Sequence, residues 1–175
     1  RWSRLFETYG EDVLLATEMG LATIEGYQGN NLADAYHVAA CMKHFLGYSM
    51  PRTGKDRTPV YIDEIQLREY FLPTFQAAIN AGAATVMVNS GELNGIPVHA
   101  DKKILTDLLR SELGFKGVAV TDWEDIMKLN NIHMVGLNEY GGFSYANLTF
   151  SGGGYTQSGT YPLKVTPPGV TGANY

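Results

Sequence analysis

One cysteine, Cys41, in 175 residues excludes an intrachain disulfide framework and any cysteine-rich zinc site. It sits in the apolar run HVAACMKHF, where a structural thiol is expected. Charge is sparse, at 18% of residues, and 13 basic against 18 acidic side chains give a net charge of −5. With no basic excess to hold a polyanion, nucleic acid is not an expected partner. No apolar run approaches the roughly 20 residues of a transmembrane helix, so no membrane association is expected. No glycine-rich phosphate fingerprint follows any strand candidate, and a dinucleotide fold lacks support. The length falls short of the roughly 250 residues of a complete (β/α)₈ barrel, although it is ample for one core. The first residue is Arg1, not Met, so a preceding leader segment is not excluded.

What is present divides near residue 134. From Met134 to Tyr175 the chain holds nine of its 20 Gly and five of its 11 Tyr, but only two charges, Glu139 and Lys164. Gly141-Gly142, Gly152-Gly153-Gly154 and Pro167-Pro168-Gly169 break this stretch into short runs, so residues 134–175 are expected as a Gly/Tyr-rich tail of loops or short strands. A small β-rich appendage and a poorly ordered tail both fit.

Residues 1–133 alternate strand and helix patterns. Val13, Leu14, Thr17, Leu21 and Ile24 predict a helix over 11–27, and His37 to Phe45 reads as a buried strand. A second helix is expected over 63–80, with Asp63 and Gln66 spaced as a capping box and Ile65, Phe71, Phe75 and Ile79 facing inward. Pro73 within it predicts a kink or two abutting helices. Thr85 to Val88 is a second strand candidate, and a helix capped by Asp101 and stopped by Gly114 carries Ile104, Leu105, Leu108, Leu109 and Leu113. Gly117 to Thr121 is the third strand candidate, with another helix starting near Glu124. This alternation indicates βαβ units and a parallel sheet in an α/β fold, without separating a barrel from a doubly wound sheet.

Each strand candidate runs into a polar pair: Lys43-His44, Asn89-Ser90 and Asp122-Trp123. In parallel α/β folds the carboxyl ends share one face, so these pairs are expected to converge there. The loop MPRTGKDRTP after the first strand concentrates Arg52, Lys55, Asp56 and Arg57, which either form a solvated loop or reach over the pocket. Glu124 and Asp125 read as first-turn helix residues favoured by the dipole.

Four segments, ETYGEDVLLATEMG, CMKHFLGYSMPRTGKDRTP, TVMVNSGELNGIPVHA and GFKGVAVTDWEDI, resemble in order the amino-terminal barrel domain of glycoside hydrolase family 3, of the β-glucosidase type. The resemblance covers residues 1 to about 132 and implies a partial (β/α)₈ TIM-barrel-like domain over 1–133. It implies retaining, exo-acting hydrolysis of a β-glucoside or β-glucan oligosaccharide, with Asp122 in VTDW as nucleophile. Trp123 would stack on the sugar, and Lys43 and His44 match the family's hydroxyl-binding pair. Lys43 would also help keep Asp122 ionised. Arg4 in RWSR matches a sugar-binding arginine and Met87 a pocket-lining methionine, while Ser90 stands where some plant members carry tyrosine.

No metal or cofactor is expected, and a periplasmic or secreted location is implied. The aspartate that grips adjacent hydroxyls lies upstream of the family's RWGR-type segment, inside which this sequence begins. The acid/base glutamate belongs to a second domain not found here, so a second domain or partner chain is expected to be needed. In the acetylglucosaminidase branch a catalytic His follows the Lys-His pair; Lys43 to Arg52 holds no second His after His44, which argues for the glucosidase branch. Glu92 is the one carboxylate in the chain expected to have any chance of reaching the pocket as a relocated acid. Two alternatives remain: a Schiff-base enzyme using Lys43, and a truncated or chimeric sugar-binding fragment without turnover.

Overall fold

The structure is a computed structural model that describes residues 2–135. Apart from Met134 and Val135, the Gly/Tyr-rich tail lies outside the described residues.

Helix α1, Val13–Gln28, starts where the Asp12 carboxylate accepts a hydrogen bond from the Leu15 N–H at 2.7 Å. Its predicted stripe is not buried as a whole: Ile24 is buried, whereas Leu14 is 70% exposed. Strand β1 is shorter than expected, Cys41–Phe45. Of the four residues before it, two turn to α1 for hydrogen bonds: Val38 N–H donates to the Tyr27 carbonyl and Ala40 N–H to the Gln28 side chain.

The second helical region divides as Pro73 predicts. It comprises α2, Glu64–Gln66, a π turn over Leu67–Phe71, and α3, Leu72–Asn80, with Pro73 in its first turn where no N–H is required. Asp63 caps α2 by accepting from the Gln66 N–H at 2.8 Å. Phe71, Phe75 and Ile79 pack on the core, but Ile65 is 70% exposed, because the inward face runs through Leu67, Phe71, Phe75 and Ile79 at a spacing of four and Ile65, two residues before Leu67, lies on the opposite side.

Strand β2, Thr85–Val88, matches its expected bounds. After it comes a hairpin of β3, Glu92–Leu93, and β4, Ile96–Pro97, through Asn94-Gly95, both at positive φ as a tight two-residue turn requires. A π-helix over Lys103–Glu112 follows, its first turn held by Asp101, whose Oδ1 accepts from the Lys103 and Ile104 N–H groups. Strand β5, Val118–Val120, and α4, Asp125–Asn131, complete the described chain. Gly117 seats β5, since a Cβ there would overlap the Ala84 carbonyl and the Phe115 ring.

The main sheet is parallel, in the order β1-β2-β5. Lys43 pairs with Met87, and Met87 with Val120, so the three strands end level with one another. One face carries the core: Val86, Val88 and Phe45 pack with Leu67, Leu105, Leu109 and Phe115. The opposite face is uncovered among the described residues, and there Cys41 is exposed rather than buried. A buried thiol was expected; alternation along β1 places Met42 against the helices and Cys41 on the open side. Parallel strands in sequential order with helices on one face form an arc of a barrel rather than a doubly wound sheet.

Gln28 ties this arc to α1. Its buried side chain accepts from the Ala40 N–H (3.0 Å) and the Ala84 N–H (2.9 Å) and donates to the Gly82 carbonyl (2.9 Å). Gln28→Ala orphans two backbone donors at the entrances to β1 and β2, and chemical denaturation should show a loss of about 1–3 kcal/mol. A change within about 0.5 kcal/mol would show that the strap is dispensable.

Candidate active site at the carboxyl ends of the strands

The level ends of β1, β2 and β5 bring Lys43-His44, Asn89-Ser90 and Asp122-Trp123 to one face, as the strand pattern predicts. Asn89 is fully buried and builds the rim: its N–H donates to the Phe45 carbonyl, its Nδ2 to the Leu46 carbonyl, and its Oδ1 accepts from the Gly91 N–H. This fixes where Ser90 leaves the strand.

Asp122 lies two residues beyond β5. Its Oδ1 accepts from the Trp123 N–H at 2.6 Å, and its Oδ2 accepts from Arg57 Nη2 at 2.8 Å and from the Ser90 hydroxyl at 3.4 Å. Helix α4 has no side-chain N-cap, so the Asp122 carboxylate is not serving as one. Burial pushes its pKa upward, but the Trp123 N–H, the Arg57 charge and nearby His44 together outweigh burial and hold it below the usual carboxylate range. The cation against Asp122 is therefore Arg57. Lys43, expected to supply that charge, faces Glu7 instead, its Nζ 3.4 Å from Oε2.

A second group forms where residues 2–7 meet the turn after β1. Arg4 donates to both Glu7 carboxylate oxygens, at 2.9 and 2.8 Å, and to the Tyr48 hydroxyl at 3.3 Å, and lies 3.5 Å from Asp56. Trp2 Nε1 donates to Asp56 at 3.1 Å and its ring meets Tyr48 edge-on. The hydrogen bond from Arg4 outweighs burial and holds the Glu7 carboxyl at about 2, with Lys43 adding to it. His44 is buried against Tyr48, ring centroids 4.3 Å apart, and burial beside Arg4 and Lys43 lowers its pKa to about 4. Met87 is half-buried between Lys43 and Val120 in register, and Trp123 is 74% exposed, its indole open to a ligand.

The charged loop after β1 divides between both readings. Asp56 and Arg57 turn into the site, while Arg52 packs over the Tyr61 ring. Asp125 opens the first turn of α4, as its sequence position predicts, and is 2% exposed, accepting from Lys128 at 2.8 Å, Arg57 at 3.3 Å and the Asp122 N–H at 3.3 Å. Glu124 takes a left-handed conformation that turns the chain from β5 into α4 and carries Asp125 inward. The spacing Asp122-x-x-Asp125 across a strand-to-helix junction is the one sequence signal that could have found it. Glu92, the imagined acid, is paired with His133 at 2.7 Å.

The family model described as "Glycosyl hydrolase family 3 N terminal domain" matches residues 1–141, and the chain belongs to that family. A "Lysosomal beta glucosidase" of Dictyostelium discoideum is 52% identical over 138 residues, covering 75% of this chain and 17% of that protein. A "Beta-xylosidase" of Formosa agariphila is 42% identical over 141 residues, 79% of this chain and 20% of the relative. Another relative, from Salmonella typhimurium, is named "Periplasmic beta-glucosidase". The crystal structure of a β-glucosidase from Listeria innocua in complex with glucose superposes with a TM-score of 0.75 at 36% identity, over 78% of this chain and 19% of that one. The chain thus spans about a fifth or less of the proteins it matches. The fold is a partial, TIM-barrel-like family 3 domain.

Two buried imidazoles give the site a pH signature. His44 and the buried His99, whose Nε2 lies 3.7 Å from Asp125, both sit at about 4, each because burial disfavours the charged ring, whereas their unfolded values lie near 6.5. Between these values the unfolded chain binds more protons than the folded one, so stability is present above about pH 6.5 and falls as pH drops toward about 4. Denaturation midpoints measured across that window should decline, and less steeply in His99→Gln. A flat profile would show that both rings charge freely in the folded chain.

Proposed function

We propose that this chain supplies the nucleophile and much of the sugar subsite of a retaining, exo-acting β-glucosidase-type hydrolase. The observation that carries the reading is an ionised Asp122 on the rigid end of β5, at the same face as Lys43, His44 and an open Trp123. Asp122 attacks the anomeric carbon, the glycosidic C–O bond breaks as the leaving oxygen takes a proton, and water then releases the sugar from the ester. Neutral His44, the Lys43 ammonium and Arg4 offer hydrogen bonds to hydroxyls, Met87 lines the floor, and Trp123 covers a ring face. On this reading the proton donor comes from outside this chain, and the pairing of Glu92 with His133 supports it. The substrate is a β-glucoside or short β-glucan, with names of relatives supporting glucose before xylose. Lysosomal and periplasmic relatives support a secreted or periplasmic location.

β-Glucosyl fluoride needs no proton donor to lose fluoride, so the chain should release a burst of fluoride that Asp122→Asn abolishes. Cellobiose, which needs one, should not be cleaved. Retention of more than a few per cent of the burst in Asp122→Asn would move the nucleophile elsewhere. Lys43→Ala and His44→Ala should each weaken binding of glucose-configured inhibitors by about 1.5–3 kcal/mol. Unchanged affinity in both would remove them from the subsite.

A further inference from the structure

Arg57 is surrounded by three carboxylates. Its Nη2 lies 2.8 Å from Asp122, its Nη1 3.3 Å from Asp125 and its Nε 3.9 Å from Asp56. The loop that delivers it is closed by the Arg52 N–H on the Pro59 carbonyl and by Thr53 against Thr58 at 2.7 Å, and Arg57 itself sits at φ +60, where non-glycine residues are uncommon. Behind it, Asp125 is buried and cannot stand as an isolated charge. Asp125 also receives Lys128 and the Asp122 N–H, with His99 Nε2 at 3.7 Å, so one buried carboxylate fixes the guanidinium and the backbone of the nucleophile together.

We propose that Arg57 is a positioning residue that, through its ion pair, favours the departure of Asp122 from the sugar in the second chemical step over its attack in the first. This rests on the reading of Asp122 as nucleophile. When Asp122 attacks, one carboxylate oxygen bonds to the anomeric carbon, the leaving group departs with its electron pair, and the carboxylate charge is lost in an ester. The contact to Arg57 is then weaker than before. When water attacks the anomeric carbon and gives up its proton to the solvent, the C–O bond to Asp122 breaks, its electron pair returns to the carboxylate, and the full contact is restored. A guanidinium that binds the free carboxylate better than the ester makes Asp122 a poorer attacking group and a better leaving group. The other groups facing Asp122 are the His44 ring from β1, the Ser90 hydroxyl beyond β2 and Asp125 on α4. Among the contacts made to the carboxylate itself, Arg57 brings the full positive charge.

The test uses the full chain and two variants, Arg57→Met and Arg57→Lys. Carbon-13 NMR of the Asp122 side-chain carboxyl, assigned through Asp122→Asn, follows its titration without requiring turnover. In Arg57→Met the midpoint should rise by about one pH unit or more, and in Arg57→Lys by less. With 2-deoxy-2-fluoro-β-glucosyl fluoride, the ester on Asp122 should persist several-fold longer in Arg57→Met while forming no more slowly than in the unsubstituted chain. A residue that merely supports the loop would slow both steps and leave the titration in place. An unchanged midpoint, or an ester released as fast as in the unsubstituted chain, overturns the proposal. A shifted midpoint with no ester in any form would keep the ion pair but overturn Asp122 as nucleophile, and the effect on the two steps with it.

Discussion

Parallel pairing of β1, β2 and β5 in one register is the constraint on which the remainder of the site depends. Because Lys43, Met87 and Val120 lie level, the residues that follow each strand emerge on one face, although they are separated by scores of positions in the chain. Backbone hydrogen bonds hold those ends, and the buried Asn89 ties the β2 exit to Phe45, the last residue of β1, and to Leu46 just after it. A functional side chain placed there inherits the rigidity of the sheet. Register also decides which side chains face which way: Val86 and Val88 go to the helices, and Lys43 and Met87 to the other side.

On this frame two aspartates organise the charges. Asp56 gathers Trp2 and Arg4 from the start of the chain and lies beside Arg57 from its own loop. Asp125 gathers Arg57 and Lys128 and holds the Asp122 backbone. Arg57 stands between the two, so Arg4 and Asp122 belong to one connected network and not to separate patches. Such a network fixes geometry more than it adds stability, because burying Asp125 has a desolvation cost that its partners only offset. The helices contribute differently, by covering one face of the sheet with Leu67, Leu105 and Leu109.

Much of this is legible in the sequence where local rules dominate. Strand β2, the Asp101 and Asp63 caps, the interruption at Pro73 and the convergence of three strand ends follow from spacing, capping and topology. The family follows from four ordered motifs, which the family model matches. What escapes is decided by contacts across the fold. Cys41 reads as buried because its neighbours are apolar, yet alternation on an uncovered sheet face exposes it. Ile65 and Leu14 fit a helical stripe but lie outside the packed arc, and Asp125 sits in the first turn as its position predicts, while its burial follows from the Glu124 turn that carries it inward. Arg57 is one of four charges in its loop, and no pattern in those ten residues distinguishes the one that reaches Asp122.

The direct measurement is the location of the covalent sugar. Incubating the chain with 2-deoxy-2-fluoro-β-glucosyl fluoride and mapping the labelled peptide by tandem mass spectrometry should place the adduct on Asp122 within VTDW, with none formed in Asp122→Asn. A glycosyl adduct on Glu92, Asp56 or any other carboxylate would contradict Asp122 as the group that attacks the sugar.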